Sequence, residues 1–248
     1  MSDHTQIFER ELLGSPTEVM QQYLAHFEND ARTFIKGLTT ATNVWKQYEA
    51  AAVKREQQQE ELVWSSAYFL NSINSALVST RLFLSGYIVP SGNLARQSLE
   101  SLAFGILLAF PGTETYREWK KGHASEHKAL GRLAKHAKHC GVNKVSASEL
   151  DKQAKRFDQL SHPSRLGLTT IWMPPCKEHP EGGWNVGALF AEHYLEQYRQ
   201  EMANRVSLTG LLANAIAGAH ATLIKQGQID LPDGVDQKLV QSQPDVQI

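Results

Sequence analysis

Two cysteines, Cys140 and Cys176, among 248 residues are too few for a disulfide framework. The N-terminus also lacks the basic, then apolar, then small-residue order of a secretory signal. Both absences lead us to expect a reducing, cytoplasmic location. Long apolar runs are missing as well. "AFGILLAF" is far shorter than the roughly 20 residues that span a bilayer, and "SLTGLLANAIAGAHATLI" is interrupted by Asn214 and His220, so no membrane partner is expected. Neither charge sign dominates: 25 Lys and Arg against 26 Asp and Glu leave a formal charge of -1. The bulk charge therefore points to neither nucleic acid nor membrane. There is no segment of strand period long enough to build a sheet, and no internal repeat. A glycine-rich phosphate loop, a dinucleotide fingerprint, a nucleophile elbow and an HExxH zinc motif are all absent. That removes the easily read enzymes, and no cofactor is expected.

What is present is helical. Hydrophobic residues make up 42% of the chain, enough for one sizeable core. The patterning predicts an all-α, single-domain bundle of six to seven helices over residues 17–227, with a flexible arm at 1–16 and a disordered tail at 228–248. Ser15-Pro16-Thr17-Glu18 reads as a helix start, because the missing proline N–H does no harm there. Met20, Leu24, Phe27, Ala31 and Phe34 then recur at helical spacing. In the next helix Leu70, Ile73, Leu77 and Leu84 share a face. The other face, with Asn71, Asn74, Ser75, Val78 and Arg81, predicts packing on another helix through hydrogen-bonding groups as well as apolar ones. A compact helix from about Asn93 to Phe110 carries Arg96 and Glu100 at an i,i+4 spacing. A last helix, from about Val186 to Gln226, has Gly210, Asn214 and Gly218 spaced for close approach of a neighbour.

Charge is uneven along the chain. Between Arg117 and Arg156 stand eleven Lys and Arg against four Asp and Glu, a balance of +7 that leaves -8 elsewhere. Such asymmetry hints at an anion-binding region. Projected at about 100° per residue, the segment from Thr113 to His139 puts Tyr116, Trp119, His123, Leu130 and Leu133 on one side. Arg117, Lys121, Lys128, Arg132, Lys135 and His139 fall on the other, as a basic stripe that could follow a nucleic-acid backbone. On its apolar face His123 reads as a core histidine with a hydrogen-bonded partner, or as part of a pocket. "HAKHC" and "CKEH" supply His136, His139, Cys140, Cys176 and His179 as zinc-type ligands, but spacing alone does not bring the two groups together and no metal is assigned.

"RFDQLSHPSR", after a helix start at Ser146 or Ser148, combines an acid-base group, a permanent cation and a helix stop. Pro163 biases His162 away from the helical region. Asp158, four residues before His162, would lie beside the imidazole on a continuous helix and fix its tautomer. A histidine can move a proton near neutral pH, and Arg156 could hold a phosphate oxygen through two donors. Together they suit RNA cleavage without metal. Residues six apart on a helix point about 120° away from each other, so Arg156 and His162 converge only through the break at Pro163 or across a symmetric dimer.

"RQSLESL" on one helix, followed after a basic helix by "RFDQLSHPSR", resembles the HEPN superfamily, and within it a bacterial group with an Arg…Glu helix and a Leu-Ser-x-His-type helix end. The resemblance covers about residues 60–225. It implies RNA binding or metal-independent endoribonuclease activity in a bacterial defence or toxin-antitoxin setting, a homodimer, and a cognate antitoxin or other protein partner. Carried onto this sequence, it makes His162 the acid-base residue, Arg156 the phosphate holder and Asp158 the orienting carboxylate. Arg96, Glu100, Arg81, Ser161 and His123 become supporting polar groups, while Lys121, Lys128, Arg132 and Lys135 guide the RNA backbone. The chain departs from the family pattern at Phe157, where a polar residue is usual, and at the His162-Pro163 junction. The alternatives are a non-catalytic interaction or dimerisation module, and a small-ligand-binding bundle whose pocket includes His123, Trp119 and Arg96.

Overall fold

The computed structural model of the chain describes residues 17–55, 59–161, 172–173, 183–184 and 187–230. They form an all-α bundle of seven helices: α1 (Thr17–Lys54), α2 (Glu60–Leu84), α3 (Ile88–Ala109), α4 (Thr115–Lys120), α5 (Ala129–His136), α6 (Lys144–Ser161) and α7 (Leu195–Lys225). Among the described residues no strand exceeds two residues; Trp172–Met173 pairs antiparallel with Gly183–Trp184. α3 runs through the centre, against α2, α5, α6 and α7, while α1 lies along α7 and α2. From Ser98 to Phe110 every residue is buried.

α1 buries Tyr23, Phe27, Phe34, Leu38, Ala41, Trp45, Tyr48 and Ala52, steps of three, four and seven that keep one stripe on the core. The α2–α3 contact is built differently. Ser72 Oγ donates to the Ser98 carbonyl at 2.6 Å, Ser98 Oγ returns a bond to the Ser72 carbonyl at 2.8 Å, and Ser79 Oγ donates to the Ser91 carbonyl at 2.7 Å. Tyr48 donates to Ser65 Oγ and Trp45 to Ser66 Oγ from the α1 side. The hydrogen-bonded packing expected of α2 is present through Asn71, whose Nδ2 donates to Ser101 Oγ at 2.9 Å, and buried Ser75, and it extends to a neighbouring face that carries Ser72 and Ser79. Leu70 and Leu77 are 42% and 47% exposed, while the serines are buried. The reason is size: small residues let two backbones approach, and each hydroxyl is then satisfied by a carbonyl of the facing helix. Gly105 belongs to the same contact, since a Cβ there would stand 2.8 Å from the Phe69 ring.

Several boundaries differ from those expected. α3 starts at Ile88, so Pro90 sits in its first turn, where an N–H is not needed. α6 starts at Lys144, because the Asn143 side chain, not a serine, accepts the Val145 N–H at 2.8 Å. α7 starts at Leu195, after an extended stretch and a short 3₁₀ turn at Glu192–Tyr194. The close approach expected at Gly210 and Asn214 is absent: both are exposed and nothing lies near Gly210. α1 and α7 instead meet at Gly37, where a Cβ would strike the Thr209 side chain.

The largest correction concerns Thr113–His139, which is not one helix. α4 ends at Lys120, Gly122 takes a left-handed φ of 71°, and a 3₁₀ turn at Glu126–Lys128 precedes α5. Such a conformation suits glycine and ends the projection that made a stripe. Lys121, Lys128 and Lys135 are exposed but lie on three separate elements. Arg132 is an ion-pair partner of Glu118 and donates to the Thr113 carbonyl at 2.6 Å, so its charge is spent within the fold. His123, expected on an apolar face, is exposed.

By length and composition Glu192–Lys225 is apolar enough to cross a membrane, with 56% of its most apolar window buried inside the bundle. The same helix carries Arg205, 1% exposed, which donates to Glu201 Oε2 at 2.8 Å and to Ser91 Oγ at 2.9 Å. Its guanidinium lies 4.4 Å from the Phe83 ring centroid and 5.5 Å from that of Phe157. One buried cation thus joins α2, α3, α6 and α7.

Candidate functional site

The outer face of α3 and the broken α4–α5 segment enclose a cavity of about 600 Å³ lined by Asn93, Arg96, Gln97, Glu100, Phe104, Trp119, Ala124, Glu126 and His127. That volume falls within the ordinary range for ligand pockets. Residues 93, 96, 97, 100 and 104 follow the helical period, so a single face of α3 supplies the floor. The wall comes from the irregular chain between α4 and α5, which the turn at Gly122 brings back over α3.

Glu100 is the centre of the polar network. Its side chain is 6% exposed, yet both oxygens are engaged: Oε1 accepts from Arg96 Nε at 2.9 Å and Oε2 faces His127 Nδ1 at 3.1 Å. Arg96 extends across to Asp158 on α6 through Nη1. A carboxylate only accepts, so the His127 nitrogen facing it carries the proton, and the other nitrogen, Nε2, is the basic one in the neutral ring. The His127 side chain is 77% exposed, within reach of solvent and of a ligand. A buried carboxylate holding an accessible imidazole in one tautomer is an arrangement suited to moving a proton.

The rest of the wall is aromatic. Trp119 packs against Trp64 with ring centroids 4.8 Å apart, and Tyr68 packs 4.8 Å from Phe104. The Tyr68 hydroxyl donates to Glu126 Oε1 at 2.9 Å. Burial first, and the Glu126 carboxylate second, push the Tyr68 hydroxyl up to about 12, so it remains a donor at neutral pH. Outside this wall Glu60 accepts from Trp64, Tyr116 and Lys120, and these bonds, that of Lys120 first, hold its carboxyl down at about 2. Glu100, Glu126 and Asp158 together outnumber Arg96 and His127, so the field inside the cavity does not attract a phosphate.

Of the residues expected at a site, Arg96, Glu100 and Asp158 are brought together. Arg156, expected to hold a phosphate, is exposed on α6 away from the cavity lining. Arg81 is exposed on α2. Ser161 ends α6. His162 lies outside the described residues, as do Cys176 and His179. Trp119 and Arg96 line the cavity as the small-ligand alternative expected, whereas His123 does not. Among the described residues no three of His, Cys, Asp and Glu gather to hold a metal ion. Cys140 is buried and its thiol is pushed up to about 12 by that burial, which makes it inert at neutral pH.

His127, Glu126, Asn93 and Gln97 were not singled out in the sequence. The last two were within reach, since Asn93, Arg96, Gln97 and Glu100 share one helix face by spacing alone. His127 was hidden by projecting a broken segment as one helix. Comparison with protein-family models, curated proteins and solved structures finds no match to this chain.

Proposed function

We propose that the chain binds single-stranded RNA by taking one unpaired base into this cavity, and that the His127–Glu100 pair equips it for metal-independent cleavage of the adjacent phosphodiester. The observation that carries this reading is Glu100, buried and bonded at once to Arg96 and to an accessible imidazole. RNA is read mainly through splayed bases that stack on aromatic rings and bond polar side chains along their edges. Half-buried Trp119 offers a ring, Asn93 and Gln97 the amides, and Glu126 an acceptor for a base amino group. The acidic balance of the lining keeps phosphates outside, where exposed Lys121 and Lys128 adjoin the lining segment in sequence. In the reaction His127 Nε2 takes the proton of a ribose 2′-hydroxyl, whose oxygen attacks the adjacent phosphorus. The 5′-oxygen leaves and takes a proton from water, giving a 2′,3′-cyclic phosphate and a 5′-hydroxyl end. Arg96, held by Glu100 and Asp158, positions the carboxylate that orients the imidazole.

The test is cleavage of mixed-sequence RNA in excess chelator. His127→Ala and Glu100→Gln should each lose a factor of about 10² or more, the usual contribution of a positioned acid-base group. His162→Ala, run in parallel, asks whether the histidine four residues after Asp158 in sequence shares the role. Full activity in His127→Ala and Glu100→Gln, or no cleavage and no RNA binding by the parent protein, would overturn the reading. The excess of carboxylates favours a second one, a pocket for a small organic cation seated against Trp119. Thermal stabilisation by aromatic amines without RNA binding would establish that one instead.

A further inference from the structure

Two carboxylates of the described residues line the cavity, and they are not equivalent. Glu100 has both oxygens engaged, by Arg96 and by His127. Glu126 accepts the Tyr68 hydroxyl on Oε1 at 2.9 Å, while its Oε2 has no hydrogen-bond partner among the described residues. The side-chain amides of Asn93 and Gln97 stand one helical turn apart on the α3 floor, exposed and likewise without a partner among the described residues. A ligand entering the cavity thus meets one anchored carboxylate, two amides and the Trp119 ring. Resting on the reading of this cavity as a base pocket, we infer that the base it selects is guanine, read on its Watson–Crick edge by Glu126.

Edge chemistry makes the choice. A carboxylate only accepts, through two oxygens side by side. Guanine alone among the common bases presents two adjacent donors, N1–H and N2–H2, on the edge that RNA-binding proteins read, and a carboxylate takes them up as a pair of charge-assisted bonds. Its O6, next along the edge, accepts from an amide N–H2 such as that of Asn93 or Gln97. Uracil has a single N–H flanked by two carbonyl oxygens. Adenine and cytosine each set an amino donor beside a ring-nitrogen lone pair, so one oxygen of Glu126 would meet an acceptor. A wrong base therefore leaves polar groups unpaired, which costs more than the missing bond alone. Tyr68 acts by position: its hydroxyl stays a donor at neutral pH and anchors Oε1, leaving the second lone pair of that oxygen and the whole of Oε2 to the base. Stacking on Trp119 does not discriminate, since every base has a π-face, so selectivity falls on Glu126.

Isothermal titration at neutral pH with free guanosine, inosine, adenosine and cytidine tests the edge, and the pentanucleotides UUGUU, UUAUU and UUUUU test the strand. Guanosine should bind. Inosine, which lacks only the N2 amino group, should bind about 10–100-fold more weakly, the worth of one bond to a charged group, and adenosine and cytidine more weakly still. Glu126→Gln should keep the helical circular dichroism and bring guanosine down to the level of inosine, because an amide offers one acceptor where the carboxylate offers two. UUGUU should bind best of the three strands, and the 2′,3′-cyclic phosphate ends produced by cleavage should fall on guanosine. Equal binding of the three strands, with guanosine no better than inosine or adenosine, would overturn guanine selection and leave the RNA reading standing. Selective guanosine binding with no strand bound would uphold guanine selection and overturn the RNA reading. Failure of both guanosine and UUGUU to bind would overturn the two together.

Discussion

Replacing Arg205 by Met probes the buried ion pair that joins four helices. Methionine fills most of the space of the side chain, so little cavity results and the loss is chiefly electrostatic. It removes bonds of 2.8 Å to Glu201 Oε2 and 2.9 Å to Ser91 Oγ, as well as the cation over the Phe83 ring. Glu201, 8% exposed, would keep only Asn204 Nδ2 at 3.4 Å among the described residues. A buried charge stripped of its partner costs about 3–5 kcal/mol, a large part of a total stability of about 5–15 kcal/mol. Desolvation already lowers the Arg205 pKa against the opposing pull of Glu201, which shows how fully the pair has left water. Neutralising both members, as Glu201→Gln with Arg205→Met, should recover much of the loss, giving a coupling of about 2–3 kcal/mol. Urea unfolding followed by circular dichroism measures all four corners of the cycle. If Arg205→Met costs less than about 1 kcal/mol, or the double variant costs the full sum of the singles, the charge reasoning fails.

Two further tests concern protonation and packing. His220 is buried with Nε2 unpartnered among the described residues and its ring against Tyr48, and burial lowers its pKa from 6.5. The unfolded chain therefore takes up the proton first as pH falls. The stability linked to His220 is complete above about pH 6.5 and declines as pH drops from there towards the lower folded value. Unfolding curves of His220→Leu should lose that slope, and an unchanged slope would refute the assignment. Glycine substitutions should divide by location. Gly105→Ala drives a Cβ against Phe69 and should cost about 1–3 kcal/mol of overpacking. Gly210→Ala enters open space within a helix and should stabilise by about 0.5–1 kcal/mol; thermal melts rank the two.

The helices were legible because burial follows period. Phe27 and Phe34 recur on one side of α1, and the structure buries both. The face of α2 was legible only in part, with Ile73, Leu84 and Ser75 buried but Leu70 and Leu77 exposed, because apolar patterning ranks leucine above serine, whereas a tight helix contact selects for size and lets carbonyls satisfy the hydroxyls. Arg96 and Glu100 could be paired from spacing. Their ties to His127 and Asp158 could not, because these bonds cross 27 and 62 residues of chain and depend on where Gly122 turns it. Local rules describe a helix, and the site is made where a helix stops.

The two sides of the cavity are held by different forces. The floor belongs to α3, fixed to α2 by buried hydroxyl-to-carbonyl bonds that water does not reach. The wall is fastened to α2 at its rim, through Tyr116 and Lys120 on Glu60 and through Trp64 beside Trp119, where solvent competes for each polar contact. Opening the wall would break these rim bonds together with the part-buried Tyr68–Glu126 and Glu100–His127 contacts, whereas moving the floor would break the core. The Glu100–His127 contact therefore joins the two sides, with Glu100 on the core-packed floor and His127 on the solvent-facing wall.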